Sequence, residues 1–315
     1  MGDSSRSSIR CGIVLAAGDG RRLRSFVRRL RGDDLPKQYV DFSGTGSMLD
    51  HTFRRAETLI APQRLFTVVS RDHFEYPEVW RQLADRPGGR VVVQPENKET
   101  GPGVLLPLAH LSARYPDAVV VVFPSDHYLA EEDVFMAHVD MACRVVERRP
   151  GRMVLLGVEP TAPEPDYGYI LPGRPAHHPA LTELHHVAGF IEKPEADHAE
   201  ALVQRGGLWN TFVMVFRAKI MWDFVREAAP ALSGAFQRIA GAIGTRAERS
   251  VIDDVYHRLE PLNFSRTFLH RLPAHRRPSL TVLPVRGVAW SDCGAEPRIV
   301  TAMRVREPFA QPLCA

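Results

Sequence analysis

Ala118-Val119-Val120-Val121-Val122-Phe123 runs without one polar side chain straight into Pro124-Ser125-Asp126-His127. An unbroken β-branched run of this length reads as a strand buried on both faces, which a parallel sheet covered by helices requires. The same grammar recurs on either side. Upstream, Ile9 to Ala16 is a short apolar run that stops at Ala17-Gly18-Asp19-Gly20, a buried strand feeding a glycine loop. Between them come a helical stretch around Leu49–Leu59, strands at Leu65–Val69 and Val91-Val92-Val93, and a helix over Gly103–Arg114. Downstream, Val134–Glu147 carries Phe135, His138, Val139, Ala142 and Val146 on one helical side, and Met153–Val158 is the next strand. Strands alternating with helices predict an α/β fold with a doubly wound, mostly parallel sheet of Rossmann-like type.

From Tyr167 onward the pieces shorten: strands at Tyr167–Leu171, Val187–Glu192, Thr211–Phe216 and Leu280–Val285, with helices over Lys219–Glu227 and Ile252–Leu259. No linker rich in proline or glycine separates this half, so it reads as a substrate-side extension of the same sheet. The expected organisation is a disordered leader over residues 1–8, one domain over 9–308 and a tail over 309–315. Within the domain, a first half spans about 9–160 and a second half about 161–308. The Ala- and Gly-rich segment 228–250 reads either as a helical lid or as a loose surface element.

A chain of 315 residues with 44% apolar and 24% charged residues is an ordinary soluble composition. A net charge of +3 with no long basic block gives no reason to expect nucleic acid as a partner. Arg22, Arg24, Arg28, Arg29 and Arg31 form a local basic run, of which one or two members are expected to face a ligand and the rest water. Lysine occurs only as Lys37, Lys98, Lys193 and Lys219, so each compact ammonium stands out against arginine as the default cation. Cys11, Cys143, Cys293 and Cys314 have no metal-ligand spacing, and neither His177-His178 nor His185-His186 forms a helical metal pair. No apolar run is long enough to span a bilayer, and no secretory core precedes Cys11. The reading is a reduced, cytoplasmic protein without a membrane partner. Asn263-Phe264-Ser265 matches a glycosylation acceptor, which has no weight without a secretory route.

The chemistry rests on short motifs. In Leu15-Ala16-Ala17-Gly18-Asp19-Gly20-Arg21-Arg22-Leu23, glycines after a strand let backbone N–H groups approach phosphate oxygens. Neither a dinucleotide fingerprint nor a P-loop is completed here. Downstream stand Pro36-Lys37-Gln38, then Gln94-Pro95-Glu96-Asn97-Lys98-Glu99-Thr100-Gly101-Pro102, Pro124-Ser125-Asp126-His127, Tyr167-Gly168-Tyr169-Ile170, Glu192-Lys193-Pro194, Trp209-Asn210-Thr211 and Trp290-Ser291-Asp292-Cys293-Gly294. In this order, from about Ile13 to Gly294, the chain resembles the sugar-1-phosphate nucleotidyltransferase family. The resemblance is closest to its mannose-1-phosphate guanylyltransferase-like branch, without the isomerase domain of longer members. Four departures stand out: Arg21 for the loop's threonine, Lys98 and Gly101 for an arginine and an alanine, Phe212-Val213 for Gly-Met, and Ala295 after the final motif.

The resemblance implies transfer of a nucleotidyl group from a triphosphate, GTP, to a hexose-1-phosphate, mannose-1-phosphate, with release of pyrophosphate. Such transfer depends on positioning and charge neutralisation more than on covalent chemistry. Arg22, Lys37, Asp126 and Lys193 are then the catalytic set. Leu15, Ala16, Ala17, Gly18, Gly20, Arg22, Lys37, Gln94, Glu96 and Asn97 hold the nucleotide, with Gln94, Glu96 and Asn97 selecting the base. Gly168, Glu192, Lys193 and Asn210 receive the sugar phosphate. Mg2+ is the implied cofactor, held by Asp126 and Asp292, since hard cations favour carboxylate oxygens. Asp292 also reads as a plain turn aspartate in Ser-Asp-Cys-Gly, and Trp209 and Asn210 read equally well as structural. The departures leave room for another sugar or base, or for a catalytically silent nucleotide-sugar-binding protein. A glycosyltransferase ranks last, because no Asp-x-Asp follows a strand. The sequence leaves the oligomeric state open, a homodimer included.

Overall fold

The computed structural model describes residues 8–176, 183–270 and 280–305. The leader expected over 1–8, apart from Ser8, lies outside them, as do the tail expected over 309–315, His177-His178 and Cys314. In chain order the elements are β1 (Arg10–Leu15), α1 (Arg24–Arg31), α2 (Met48–Glu57), β2 (Leu65–Ser70), α3 (Pro77–Leu83), β3 (Val91–Gln94), α4 (Thr100–Arg114), β4 (Val119–Pro124), β5 (Tyr128–Leu129), α5 (Glu132–Arg148) and β6 (Met153–Val158). The second half adds β7 (Gly168–Pro175), β8 (His185–Glu192), α6 (Ala196–Gln204), β9 (Leu208–Arg217), α7 (Ala218–Ala228), α8 (Pro230–Ala242), α9 (Glu248–Arg258), β10 (Leu280–Val285), β11 (Trp290–Ser291) and α10 (Glu296–Val305).

One sheet runs in the order β3-β2-β1-β4-β9-β6-β10-β8-β7, and β5 and β11 form a separate two-stranded ribbon. The first-half strands β3, β2, β1 and β4 pair in parallel, as do β6 and β10. The expected parallel core is thus present. The second half joins it through β9 and β8, which run antiparallel to their neighbours.

The valine run explains why the sheet is covered on both sides. Val120 and Val122 face a core with Leu105, Leu108 and Leu111 of α4, Met221 of α7, and Phe236 and Ile239 of α8. Val119, Val121 and Phe123 face the opposite core with Phe135, Val139 and Val146 of α5. Period-two alternation in a fully apolar strand gives each face its own layer of helices. The segment 228–250 is neither lid nor loose element: Leu232, Phe236 and Ile239 of α8 are buried in the first core, and α8 packs against α4, α7 and α9.

Because β1 and β4 are parallel and adjacent, with Leu15 opposite Pro124, their carboxyl ends open at one edge of the sheet. Open α/β sheets bind ligands at that edge. Among the described residues no helix is long and apolar enough to cross a membrane.

Candidate active site

The loops after β1 and β4 are bound to each other before any ligand is considered. Ser125 donates to the Leu15 carbonyl through both Oγ (2.6 Å) and N (3.2 Å). Gln38 Nε2 donates to the carbonyls of Ala16 (2.8 Å) and Gly18 (2.9 Å). Gly20 takes a φ of 61°, and a β-carbon there would lie 3.3 Å from the Lys37 backbone nitrogen. The glycine loop and Pro36-Lys37-Gln38 are therefore one packed unit, which gives their shared appearance in the sequence a physical cause.

Lys37 is 7% exposed. Its Nζ donates to the carbonyls of Asp292 (2.7 Å) and Cys293 (3.1 Å) and pairs with Asp126 Oδ2 at 3.1 Å. Burial alone would raise the Asp126 carboxyl; the Lys37 ammonium, with help from His127, holds it below the usual range. Asp126 is thus kept ionised although its carboxylate is only partly exposed. His127 is itself pushed down to about 4, chiefly by burial, and stands edge-on to Trp290 with ring centres 5.2 Å apart. Asp292 lines the same cleft as Asp126. Its Oδ1 accepts from Gly294 N (2.8 Å) and lies 3.3 Å from Arg298 Nε, and its Oδ2 lies 3.8 Å from Arg22 Nη2. Asp292 is at once a turn aspartate and a carboxylate facing the cleft.

Among the described residues no cluster of three or more His, Cys, Asp or Glu is arranged to hold a metal. Two hard carboxylates on one cleft nevertheless fit magnesium, which takes one or two carboxylates and completes its shell with phosphates and water. They do not fit a closed structural site.

The residues expected to receive the sugar phosphate converge on that cleft as well. Gly168, Glu192, Lys193 and Asn210 line it together with Lys37, Asp126 and Arg22. Gly168 pairs with Glu192 in the β7–β8 ladder, and a β-carbon at 168 would come 2.8 Å from Glu192 Oε2. Only glycine leaves that carboxylate its place. Burial raises the Glu192 carboxyl against the opposing pull of Lys193, Arg266 and His270. Asn210 Oδ1 accepts from Phe212 N at 3.1 Å, which leaves its amide NH2 as donor. Trp209 turns the other way: it is buried, and its indole N–H donates to Tyr169 Oη at 3.2 Å. Its role is structural.

The adjoining cavity, about 540 Å³, is lined by Leu15, Ala17, Gly18, Gly20, Arg22, Lys37, Gln94 and Asn97 from the expected nucleotide set. Two expected members are not part of it. The Ala16 backbone is spent within the fold, its N–H on Val68 and its carbonyl on Gln38 and Tyr39. Glu96 pairs with Lys98 at 3.2 Å and does not line the cavity. Of the basic run, Arg22 reaches the cleft, while Arg28, Arg29 and Arg31 pair at the surface with Asp34, Glu296 and Asp33. Lys219 pairs one helical turn away with Asp223.

Sequence reasoning passed over several residues here. Thr100, Asp166 and Ser265 line the cleft. Arg298 joins Asp292 to Glu164 (2.5 Å) and Asp166 (3.1 Å) and lies over the Tyr167 ring. Arg298 stands six residues after Asp292, but its partners Glu164, Asp166 and Tyr167 are more than a hundred positions away, and no local pattern announces them. Among the described residues, the non-glycine residues with positive φ are Glu99, Lys193, Phe212 and Cys293. Glu99, Lys193 and Phe212 line the two cavities, and Cys293 sits beside Asp292 and donates to Ser291 Oγ. Such backbone strain collects at functional sites.

Comparison with known proteins agrees with this geometry. Residues 11–306 match the Nucleotidyl transferase family. The chain is 30% identical over 227 residues to the xanthan biosynthesis protein XanB of Xanthomonas campestris pv. campestris (strain B100), covering 72% of this chain and 46% of the relative. It is 26% identical over 292 residues to mannose-1-phosphate guanylyltransferase 2 of Escherichia coli O157:H7, covering 90% and 58% respectively. The chain spans about half the length of the curated relatives it matches. A crystal structure of a mannose-1-phosphate geranyltransferase from Thermus thermophilus superposes with a TM-score of 0.75 at 27% identity, over 90% of this chain and 76% of that one. A putative glucose-1-phosphate thymidylyltransferase from Bacillus anthracis shares the fold, with a TM-score of 0.58 at 14% identity, over 96% of this chain and 97% of that one. On the match across 11–306, the chain belongs to the nucleotidyl transferase family.

Proposed function

We propose that the chain transfers a nucleotidyl group from GTP to mannose-1-phosphate and releases pyrophosphate. The observation that carries this reading is the convergence of Arg22, Lys37 and Lys193 with Asp126 and Asp292 on one cleft. Two polyanions repel each other, and fixed cations lining the cleft offset that repulsion where it matters. A phosphate oxygen of the sugar phosphate attacks the α-phosphorus, a new P–O bond forms, and the bond to pyrophosphate breaks. Asp126 and Asp292 would hold Mg2+, which would supply charge neutralisation on the phosphates. Arg22 and Lys37 orient the triphosphate and compensate the charge of the departing pyrophosphate. Lys193 holds the phosphate of the sugar phosphate, Glu192 accepts from sugar hydroxyls, and Asn210 donates to them.

Guanine as the base is supported by Gln94, whose buried Oε1 has no hydrogen-bond partner among the described residues and which lines the nucleotide cavity. Guanine's adjacent N–H donors suit such an acceptor. Mannose-1-phosphate is supported by the names of the relatives above. A cytoplasmic setting is supported by the unpaired buried thiols Cys11, Cys143 and Cys293. The test incubates the chain with Mg2+, each of four nucleoside triphosphates and several hexose-1-phosphates, and measures pyrophosphate. GTP with mannose-1-phosphate should react fastest. Faster turnover of UTP or dTTP, or no pyrophosphate from any pair, overturns the reading.

A further inference from the structure

Strand β9 is not regular where it crosses the cleft. Leu155 pairs with Met214, yet Gly157 pairs with Asn210, so residues 211–213 face Leu156 alone. The Thr211 hydroxyl stabilises this bulge by donating to Leu156 O (2.7 Å) and accepting from Val213 N (3.2 Å). Phe212, between them, takes a φ of 57°, a genuine outlier for so bulky a residue. Bulges beside active sites re-aim a side chain. Here Phe212 is carried to the sugar-side cleft, which it lines beside Asn210. It lies edge-on to Phe264 with ring centres 5.7 Å apart. Phe264 is in turn held by its N–H to Thr100 Oγ1 (2.9 Å) at the start of α4. The ring is thus backed by a fixed neighbour and cannot easily retreat.

We infer that Phe212 is a specificity-determining residue of the sugar-phosphate pocket, selecting hexose-1-phosphates with unmodified hydroxyls against those bearing an N-acetyl group. The assignment rests on the cleft holding a sugar phosphate, as proposed above. Asn210 and Phe212, two apart on one strand, border the same space. Asn210 provides a polar contact for a hydroxyl, while the Phe212 ring fills the adjoining volume with apolar carbon. An acetamido group placed in that volume would collide with the ring, and its N–H would face apolar carbon instead of water.

The experiment compares wild type with Phe212→Gly, which suits the positive φ, and with Phe212→Asn, which tolerates it. Mannose-1-phosphate and N-acetylglucosamine-1-phosphate serve as probes, by calorimetric binding and by pyrophosphate release. Wild type should prefer mannose-1-phosphate, and Phe212→Gly should shrink that preference by about tenfold or more while the KM for triphosphate stays constant. A structural defect would weaken both sugars equally. An unchanged ratio in the folded variants, or a wild type that prefers the N-acetylated sugar, overturns the assignment. If binding selectivity shifts but no pair yields pyrophosphate, the transfer reading fails and the assignment stands. If pyrophosphate is released but selectivity does not move, the reverse holds.

Discussion

Lys37 Nζ lies 3.1 Å from Asp126 Oδ2 while donating to the carbonyls of Asp292 and Cys293. One ammonium therefore joins the glycine-loop unit, the end of the strongest strand and the Asp292 turn, which is 255 positions away. A cation at this point is structural and electrostatic together: it sets the spacing of the two carboxylates and keeps Asp126 ionised.

Asp126→Ala should reduce metal-dependent pyrophosphate release by about a thousandfold with little change in melting temperature. Lys37 keeps its two carbonyl acceptors, so the loops remain joined. Lys37→Met should behave differently, costing roughly 1–2 kcal/mol in urea unfolding, because it strips the partner from a carboxylate that is still partly solvated. Chelation of Mg2+ should abolish wild-type turnover. Full activity in Asp126→Ala would remove this residue from the mechanism.

Lys193 carries its ammonium on a left-handed backbone with φ 49°, so the appropriate probe is Lys193→Asn, which keeps the backbone and removes the charge. The KM for sugar phosphate should rise by about 10- to 100-fold, and the KM for triphosphate should not move. Steady-state kinetics with each substrate varied separately checks this. An equal rise in both would mean that Lys193 supports the cleft without touching the sugar phosphate.

Two glycines separate site geometry from stability. A β-carbon at Gly294 would lie 2.5 Å from Asp292 Oδ2 and 2.9 Å from Arg22 Nη2, the mobile ends of two cleft side chains. Gly294→Ala should fold normally and lose about 100-fold in kcat/KM through their displacement. At Gly101 the clash is with Leu262, including its carbonyl at 2.7 Å, which is backbone. Gly101→Ala should instead lower stability by about 1–3 kcal/mol. Calorimetric melts alongside kinetics distinguish the two, and the reverse pattern would refute the placement of Gly294 behind the charged pair.

What was legible in the sequence had local causes. The valine run needed only period-two burial, and the glycine loop with Pro36-Lys37-Gln38 needed only one packed turn. Segment 228–250 misled because its alanines and glycines dilute the apolar signal. The decisive residues Leu232, Phe236 and Ile239 are spaced for one helical face, but their burial depends on α4 and α9. Arg298 and the left-handed turn at Phe212 were illegible for a related reason. Ion pairs to Glu164 and Asp166 and a two-residue bulge against Leu156 exist only once distant segments meet. Glu96 differs again: the motif suggests a carboxylate for guanine, whereas the folded chain sets it half-exposed beside Lys98, two residues on, and outside the cavity lining.

Folding stability should depend on pH through His73, a residue outside the cleft that is tied to the glycine loop by Tyr39. Tyr39 Oη donates to the Ala16 carbonyl (3.0 Å), so its oxygen must accept from His73 Nδ1–H (3.1 Å). This fixes the neutral tautomer and leaves Nε2 bare and buried without a hydrogen-bond partner. Burial pushes the imidazole down to about 4, against weaker opposing pulls from Asp19 and Asp72. In the unfolded chain the same group titrates near 6.5. Between those values the unfolded state binds a proton that the native state refuses, so His73 contributes its full stability above about pH 6.5. That contribution is lost as pH falls toward 4, and below 4 both states are protonated. The loss is at most roughly 3 kcal/mol. Urea unfolding at pH 7.5 and 4.5 isolates it by comparison with His73→Phe, which keeps a buried ring, leaves the Tyr39 bond to Ala16 and cannot be protonated. Wild type should lose about 2–3 kcal/mol more than the variant between the two pH values. Equal losses would mean that His73 is already charged in the native state, and the tautomer argument would be wrong.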